Sequence, residues 1–464
     1  IFYKPQTGVA ADFIPFYWEG MWHLFFLRDY RDISQYGEGT PWWHVGTKDF
    51  VHFEDFGEAI PRGRKDEEDL YVFTGSIIES DGLFHLFYTG HNPFIKNKPA
   101  EVILHATSRD LIKWEKDKNF AFSAPPNSVY EMNDWRDPFV FKLEGENKFG
   151  MLITARKNAG PLTRRGCIAF ARSSDLINWQ MENPLWEPSR YNVLECPDLF
   201  QLGNKFYLVY SDFTEGTFTH YRVGRTINGP WLRTRCDTFD GSMYYAAKTA
   251  SDGRKRFLFG WLATKEGNKE NGKRQWGGNL VVHEIRRHKD DSLVVRMPQK
   301  MQTLFSRPSD LNPSPILGRW KITNGRNLAT FSVTHYSALL LGSIPEPSLI
   351  DMTILYQKCG VSFGLLIMSD KGIDDPYVFK FDAATKKMAF GRENLPSQTE
   401  RTVDIKAGKP FRVKVCISGS CIVAYFDDEV ALSGRIYIEN NKITAGLFAA
   451  DGNVFFSNVT IRTF

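Results

Sequence analysis

Acidic residues recur at one place in this chain. Asp12 before Phe13-Ile14-Pro15, Asp137 before Pro138-Phe139-Val140 and Asp198 before Leu199-Phe200 each open an apolar stretch that turns back into an aromatic-rich one. Glu195 stands three residues ahead of Asp198, in Glu195-Cys196-Pro197-Asp198. Carboxylates brought together repel one another, so at least one of them keeps its proton to a higher pH. A site holding one protonated and one ionised carboxyl can protonate a leaving oxygen while the other attacks or steadies the developing positive charge, which is the chemistry of glycoside cleavage. A lone Asp at such a junction often does no more than cap a turn. The set in register, with the Glu beside it, is what points to a site.

The elements that must position these acids are repeated. Thr47-Lys48-Asp49-Phe50-Val51-His52-Phe53, Ser108-Arg109-Asp110-Leu111-Ile112-Lys113-Trp114 and Ser174-Asp175-Leu176-Ile177-Asn178-Trp179 are versions of one phrase: a hydroxyl, an acid, two apolar positions and an aromatic. Their spacing is roughly 60 residues, in the range of repeat architectures. Gly229-Pro230-Trp231 reads as a degenerate fourth copy. Between the phrases lie hairpins, turning at Asp81-Gly82, Gly203-Asn204 and Asp252-Gly253 between apolar runs. A hairpin module repeated about five times reads as a five-bladed β-propeller over residues 1–305, whose equivalent strand starts meet at a common axis. Asp12, Asp137 and Asp198 should therefore converge there, with Glu195 on the approach.

Ser306, Pro308, Ser309, Asn312, Pro313, Ser314 and Pro315 mark residues 306–316 as a stiff, poorly pairing connection. Beyond it, over 317–464, the short alternating segments Leu349–Tyr356, Val361–Met368, Tyr377–Phe381, Phe411–Ile417, Ile422–Phe426 and Ile443–Phe448 suggest a β-sandwich without a catalytic constellation. The fold class is all-β. An aromatic content of 14% in a chain with 24% charged residues suits pleated, sheet-built cores. A net charge of +4 with mixed signs is no footprint for nucleic acid or for an anionic membrane surface. No apolar run is long enough to span a bilayer. The six cysteines form neither a disulfide framework nor a CxxC metal pair, and His283-Glu284 lacks the second histidine of a zinc helix. The first residue is Ile1, so the compartment stays open, with the cytoplasm favoured over secretion. Homo-oligomerisation is open as well.

On these residues the chain resembles glycoside hydrolase family 32, the invertase and fructan hydrolase type, along nearly its whole length. Trp135-Arg136-Asp137-Pro138 is similar to that family's Arg-Asp-Pro motif and Leu194-Glu195-Cys196-Pro197-Asp198 to its Glu-Cys motif. Phe73-Thr74-Gly75-Ser76 matches its Phe-Ser-Gly-Ser block with one conservative change. The Ser-x-Asp-Leu-x-x-Trp phrase, the Asp240-Gly241 to Tyr245-Ala246 segment and the tail through Tyr425-Phe426-Asp427 to Phe448 fit as well.

The resemblance implies a retaining hydrolase of terminal β-fructofuranosyl units on sucrose- or fructan-like sugars. Asp12 would be the nucleophile, Glu195 the acid and then base, and Asp137 the transition-state stabiliser, held ionised by Arg136. Arg136, Phe73, Thr74 and Ser76 would bind substrate, as would Trp43 at the cleft rim and Trp276 in the Trp276-Gly277-Gly278-Asn279 loop closing the last blade. Cys196 would pack behind the acid. No metal or organic cofactor is needed, and the partner is a disaccharide or oligosaccharide. The departure lies around the nucleophile, where Val9-Ala10-Ala11-Asp12-Phe13 lacks the Asn residues of the family's Trp-Met-Asn-Asp-Pro-Asn-Gly block. Alternatives are an arabinofuranosidase- or xylosidase-like propeller hydrolase and a carbohydrate-binding protein without turnover.

Overall fold

The computed structural model describes residues 1–143, 145, 148–358, 360–369, 372–438 and 443–464. Cys359 lies outside the described residues. The first part of the chain is a five-bladed β-propeller. Its innermost strands are Val9–Trp18, Tyr71–Ser80, Tyr130–Leu143, Glu195–Leu202 and Tyr244–Ser251, each followed outward by its antiparallel neighbours. The fourth blade has three strands, with bridges His220–Thr238 and Val223–Leu232 along its outer edge. The ring closes where Ala10 of the first blade pairs with Gly278 of the last. There a Cβ on residue 278 would lie 1.8 Å from the Leu262 carbonyl oxygen, so only glycine fits.

The repeated phrase is a turn with a fixed wiring. Thr47, Ser108 and Ser173 accept the N–H of Asp49, Asp110 and Asp175. Those carboxylates in turn accept the next N–H groups, from Val51 and His52, Ile112 and Lys113, and Ile177 and Asn178. Phe50, Leu111 and Leu176 take left-handed φ values of 67°, 64° and 65°, and side-chain hydrogen bonding of this kind is what lets a turn compete with the ladder. In the third copy the working hydroxyl is Ser173, one residue before the Ser174 of the sequence reading, because the N–H groups to be satisfied sit two and three residues on.

The segment 306–316, expected to stay unpaired, joins the second sheet system through Arg307–Ser309 and Ser314–Leu317. Prolines are tolerated there because both are short outer strands. The C-terminal part is a β-sandwich, with strands close to the expected ones except the last. Ile443–Thr463 is far longer, pairing with Ser362–Met368 along its first part and with Ser348–Tyr356 along its second. It bends at Asp451 and Asn458, both in the left-handed region, and so belongs to both layers. Among the described residues, no helix is long and apolar enough to cross a membrane.

Propeller and sandwich are joined by buried polar contacts. His283 bridges the Asp240 carboxylate and the Tyr425 hydroxyl, at 3.0 Å to each, and Asp240 also accepts the Ser433 N–H at 2.7 Å. The Arg435 guanidinium reaches the carbonyls of Leu262 and Ala263 and the Asn279 side chain. Asp240, part of a segment that fits the family, has this joining role and does not line the axial cavity. Asp240→Ala would strand buried donors, each costing about 1–3 kcal/mol. A loss of about 3 kcal/mol or more in denaturant unfolding is expected.

Candidate active site

Each innermost strand carries the same irregularity. From Ala11 to Ile14, Phe73 to Ser76, Arg136 to Phe139, Glu195 to Asp198 and Tyr245 to Lys248, the strand advances three residues while its partner advances two. Such a bulge bends the strand and re-aims its side chains. At the bulge, Asp12, Asp137, Cys196 and Ala246 have φ values of 45°, 56°, 50° and 50°. Asp tolerates that left-handed region better than most non-glycine residues. Pro138 and Pro197 follow two of these residues, where a missing N–H breaks no ladder bond.

This register corrects one equivalence. The fourth-blade counterpart of Asp12 and Asp137 is Cys196, two residues before Asp198. Asp198 lies deeper, fully buried, and accepts the Thr249 N–H of the fifth blade.

The bulges bring Asp12, Asp137 and Glu195 into one cavity of about 420 Å³, with Arg136, Phe73 and Trp276 also in its wall. Asp29, Tyr71, Cys196 and Tyr245 line it too. Asp12 accepts a hydrogen bond at each oxygen, from Thr74 Oγ1 at 2.7 Å and Trp261 Nε1 at 2.8 Å. Asp137 Oδ2 accepts the Cys196 N–H at 2.9 Å and the Thr154 hydroxyl at 3.2 Å. Glu195 is held by Arg136 Nη2 at 3.1 Å and by the Tyr245 hydroxyl at 2.6 Å. The sequence reading set Arg136 against Asp137. Its direct hydrogen bonds go to Glu195, Glu101 and Asp134, and Asp137 lies 4.0 Å from the guanidinium.

Of the remaining expected contacts, Thr74 and Ser76 are buried and do not line the cavity. Thr74 acts through Asp12, and Ser76 accepts the Val140 N–H, tying the second blade to the third. Trp43 stands on Trp42–Thr47, third strand from the axis, with its ring 4.0 Å from the Arg28 guanidinium and its N–H on Asp55. It does not line the cavity. Cys196, buried in the propeller core, contributes its backbone N–H to Asp137. Tyr245, Trp261, Asp29 and Tyr71 were missed. Tyr245 closes a motif already quoted, and Trp261 ends the fifth aromatic hairpin, so both were within reach. Asp29 and Tyr71 had no such signal.

Burial raises all three carboxyls, and their mutual repulsion adds to it. For Asp12 burial dominates and pushes it up to about 7, against the donors Thr74 and Trp261. Asp137 is raised by burial and lowered by Arg136 and the Cys196 N–H, with a net rise. Glu195 is likewise raised by burial, opposed chiefly by Arg136. The cluster therefore holds a proton at a pH where isolated carboxyls would have lost it. Among the described residues, no group of three His, Cys, Asp or Glu side chains is arranged to hold a metal ion.

Asp12 binds its proton more tightly in the folded chain than in the unfolded one. Stability therefore falls as pH rises from the ordinary carboxyl range towards about 7. Asn in that place can still accept from Trp261 and carries no charge to bury. Asp12→Asn is expected to melt above the wild type at a pH of about 8, with the gap closing towards pH of about 4, by calorimetry.

Comparison with known proteins identifies the chain's family. The family described as "Glycosyl hydrolases family 32 N-terminal domain" matches residues 3–298. Raffinose invertase of Escherichia coli is 23% identical over 467 residues, covering 96% of this chain and 90% of that protein. The levanbiose-producing levanase of Bacillus subtilis is 23% identical, covering 97% and 87%. Among solved structures, a Bombyx mori GH32 beta-fructofuranosidase superposes with a TM-score of 0.74 at 21% identity, over 99% of this chain and 92% of that one. Fructan 1-exohydrolase IIa of Cichorium intybus gives 0.76 at 17%, over 100% and 96%. The propeller, the sandwich and the matched segment place the chain among the glycoside hydrolases, and it belongs to glycosyl hydrolases family 32.

Proposed function

We propose that this protein is a retaining exo-hydrolase of terminal β-fructofuranosyl units, acting on sucrose- or fructan-like sugars. The observation that carries the reading is the convergence of Asp12, Asp137 and Glu195 on one buried cavity at the propeller axis. Asp12, with a donor at each oxygen, is prepared to carry negative charge and attack the anomeric carbon. Glu195 protonates the departing oxygen and then deprotonates the attacking water. The Tyr245 hydroxyl can donate to Glu195 when it is ionised and accept from it when it is protonated, so that contact survives both steps. Asp137 stays beside the sugar ring and steadies the oxocarbenium-like transition state.

The next layer of inner-strand residues is Ile14, Ser76, Phe139, Asp198 and Lys248, all but Phe139 buried, and a pocket with such a floor would take a chain end. That supports exo action. Trp276, 39% exposed at the cavity wall, offers a ring face to a sugar. Residues 1–305 form the catalytic unit in this reading, and 317–464 brace it through the Asp240 and Arg435 contacts. Relatives are named for sucrose 6-phosphate and raffinose as well as levan. Ala10 and Ala11 beside Asp12 are fully buried and offer the sugar no polar group, which leaves a different furanosyl unit as the second reading.

The test is fructose release by the purified chain from sucrose, inulin and levan, with aryl arabinofuranosides alongside. Glu195→Gln should lower kcat by about 10²–10⁴-fold on unactivated substrates, the usual worth of general acid catalysis. Asp12→Ala should abolish turnover, and the first-formed fructose should be the β anomer by NMR. Release of arabinose alone would move the assignment to the second reading. Ligand binding that Glu195→Gln leaves intact, with no turnover by the wild type, would make the chain a binding protein.

A further inference from the structure

One buried charge at the axis has no part in the chemistry above. Lys248 is 2% exposed, on the innermost strand of the fifth blade. The common bulge aligns it with Ile14, Ser76, Phe139 and Asp198, the layer beneath the carboxylates. In that layer it is the one cation. Its Nζ donates to the Pro197 carbonyl at 3.2 Å and sits 5.3 Å from the centre of the Phe139 ring. The side chain thus leaves its own blade and crosses beneath the two segments that present Asp137 and Cys196 to the cavity. Asp198, its counterpart on the fourth blade, is fully buried, with one oxygen on the Thr249 N–H and Oδ1 without a hydrogen-bond partner among the described atoms.

An ammonium removed from water is costly unless negative charge lies near. The charges available to Lys248 are Asp198 beside it and Asp137 above it. We propose that Lys248 is a positioning residue of the active site, supplying from below the positive charge that offsets the buried Asp137 carboxylate. The proposal rests on the function assigned above and adds a residue to it. The other groups facing Asp137 are Arg136 on its own strand, Thr154 on the next, Glu101 from the second blade, and Glu195 and the Cys196 N–H from the fourth. Asp12 faces it from the first blade, and Arg256 faces Asp198. Arg136 is shared among Glu101, Asp134 and Glu195, so it cannot serve Asp137 alone. The Lys248 charge also lowers the Asp137 carboxyl, second only to Arg136 among the cations. Removing it should make Asp137 harder to ionise and, through the coupled cluster, carry the whole acidic limb upward.

The test is the pH dependence of kcat/KM for fructose release by the full chain and by Lys248→Met, which keeps the length and loses the charge. The acidic limb should move up by about one unit, so that activity on that limb falls about tenfold while the plateau changes less. Lys248→Met combined with Asp198→Asn removes both buried charges and should show a smaller shift in the same direction if the single variant folds poorly. Infrared titration of the carboxyl bands, assigned with Asp137→Asn, reads the Asp137 shift with no substrate present. An unchanged limb and an unchanged Asp137 titration in a folded variant would overturn the proposal, as would the failure of both variants to fold, which would make Lys248 purely structural. No fructose release by the wild type, with the infrared shift intact, would instead defeat the assigned function and leave the Lys248 pairing standing.

Discussion

Three carboxyl groups in one buried cavity impose the constraint that the rest of this molecule answers. Like charges at short range in a medium less polar than water cannot all persist without compensation. The compensation comes from every side. Thr74 and Trp261 donate to Asp12, the Cys196 N–H and Thr154 to Asp137, and Arg136 and Tyr245 to Glu195. Every blade contributes to that set of donors and acceptors: Asp12 from the first, Thr74 from the second, Arg136 and Asp137 from the third, Glu195 from the fourth, and Tyr245 and Trp261 from the fifth. A propeller suits the task, because it alone brings five strand starts to one line without any of them having to be near in sequence.

The means is a local backbone device repeated around the ring. One extra residue in each inner strand turns a side chain out of the pleat and towards the axis. At Cys196 and Ala246 the left-handed backbone is unfavourable for the residue type, at a cost of roughly 1–2 kcal/mol each, and it is held because the strands on both sides over-determine it. The same device that strains the strand exposes the N–H of Cys196 to Asp137.

Much of this was legible in the sequence. The repeated turn phrase and the hairpins carried the propeller, because their chemistry is local: a hydroxyl and an acid at fixed spacing satisfy their own turn wherever it occurs. Asp12, Asp137 and Glu195 were readable from their places in that repeat. What failed were statements that depend on the count of residues in a strand. Asp198 looks like the partner of Asp12 because the apolar run begins there, but the bulge in that strand falls ahead of the run, and Cys196, two residues earlier, is the counterpart. Trp43, Thr74 and Ser76 lie in matching segments, yet which face of a strand each occupies, and how far it stands from the axis, depends on pairing that one sequence does not display. Asp29 and Tyr71 belong to no repeat, and only the folded ring brings them to the cavity.

Closure of the ring through Ala10 and Gly278 has a consequence for how the protein is made. Asp12 leaves the ribosome well ahead of its donor Trp261, which follows 249 residues later, and of the closing Gly278. At synthesis rates of about 5–20 residues per second, the first blade waits for tens of seconds beside an open edge. During that interval Asp12 stands on a strand paired on one side only, with Met21–Asp29, and lacks the Trp261 donor and the burial that the closed ring supplies. The donor set around Asp12 is therefore complete only when the last blade docks. Until Gly278 is made, the other side of that strand is an open edge of the kind that pairs with neighbouring chains.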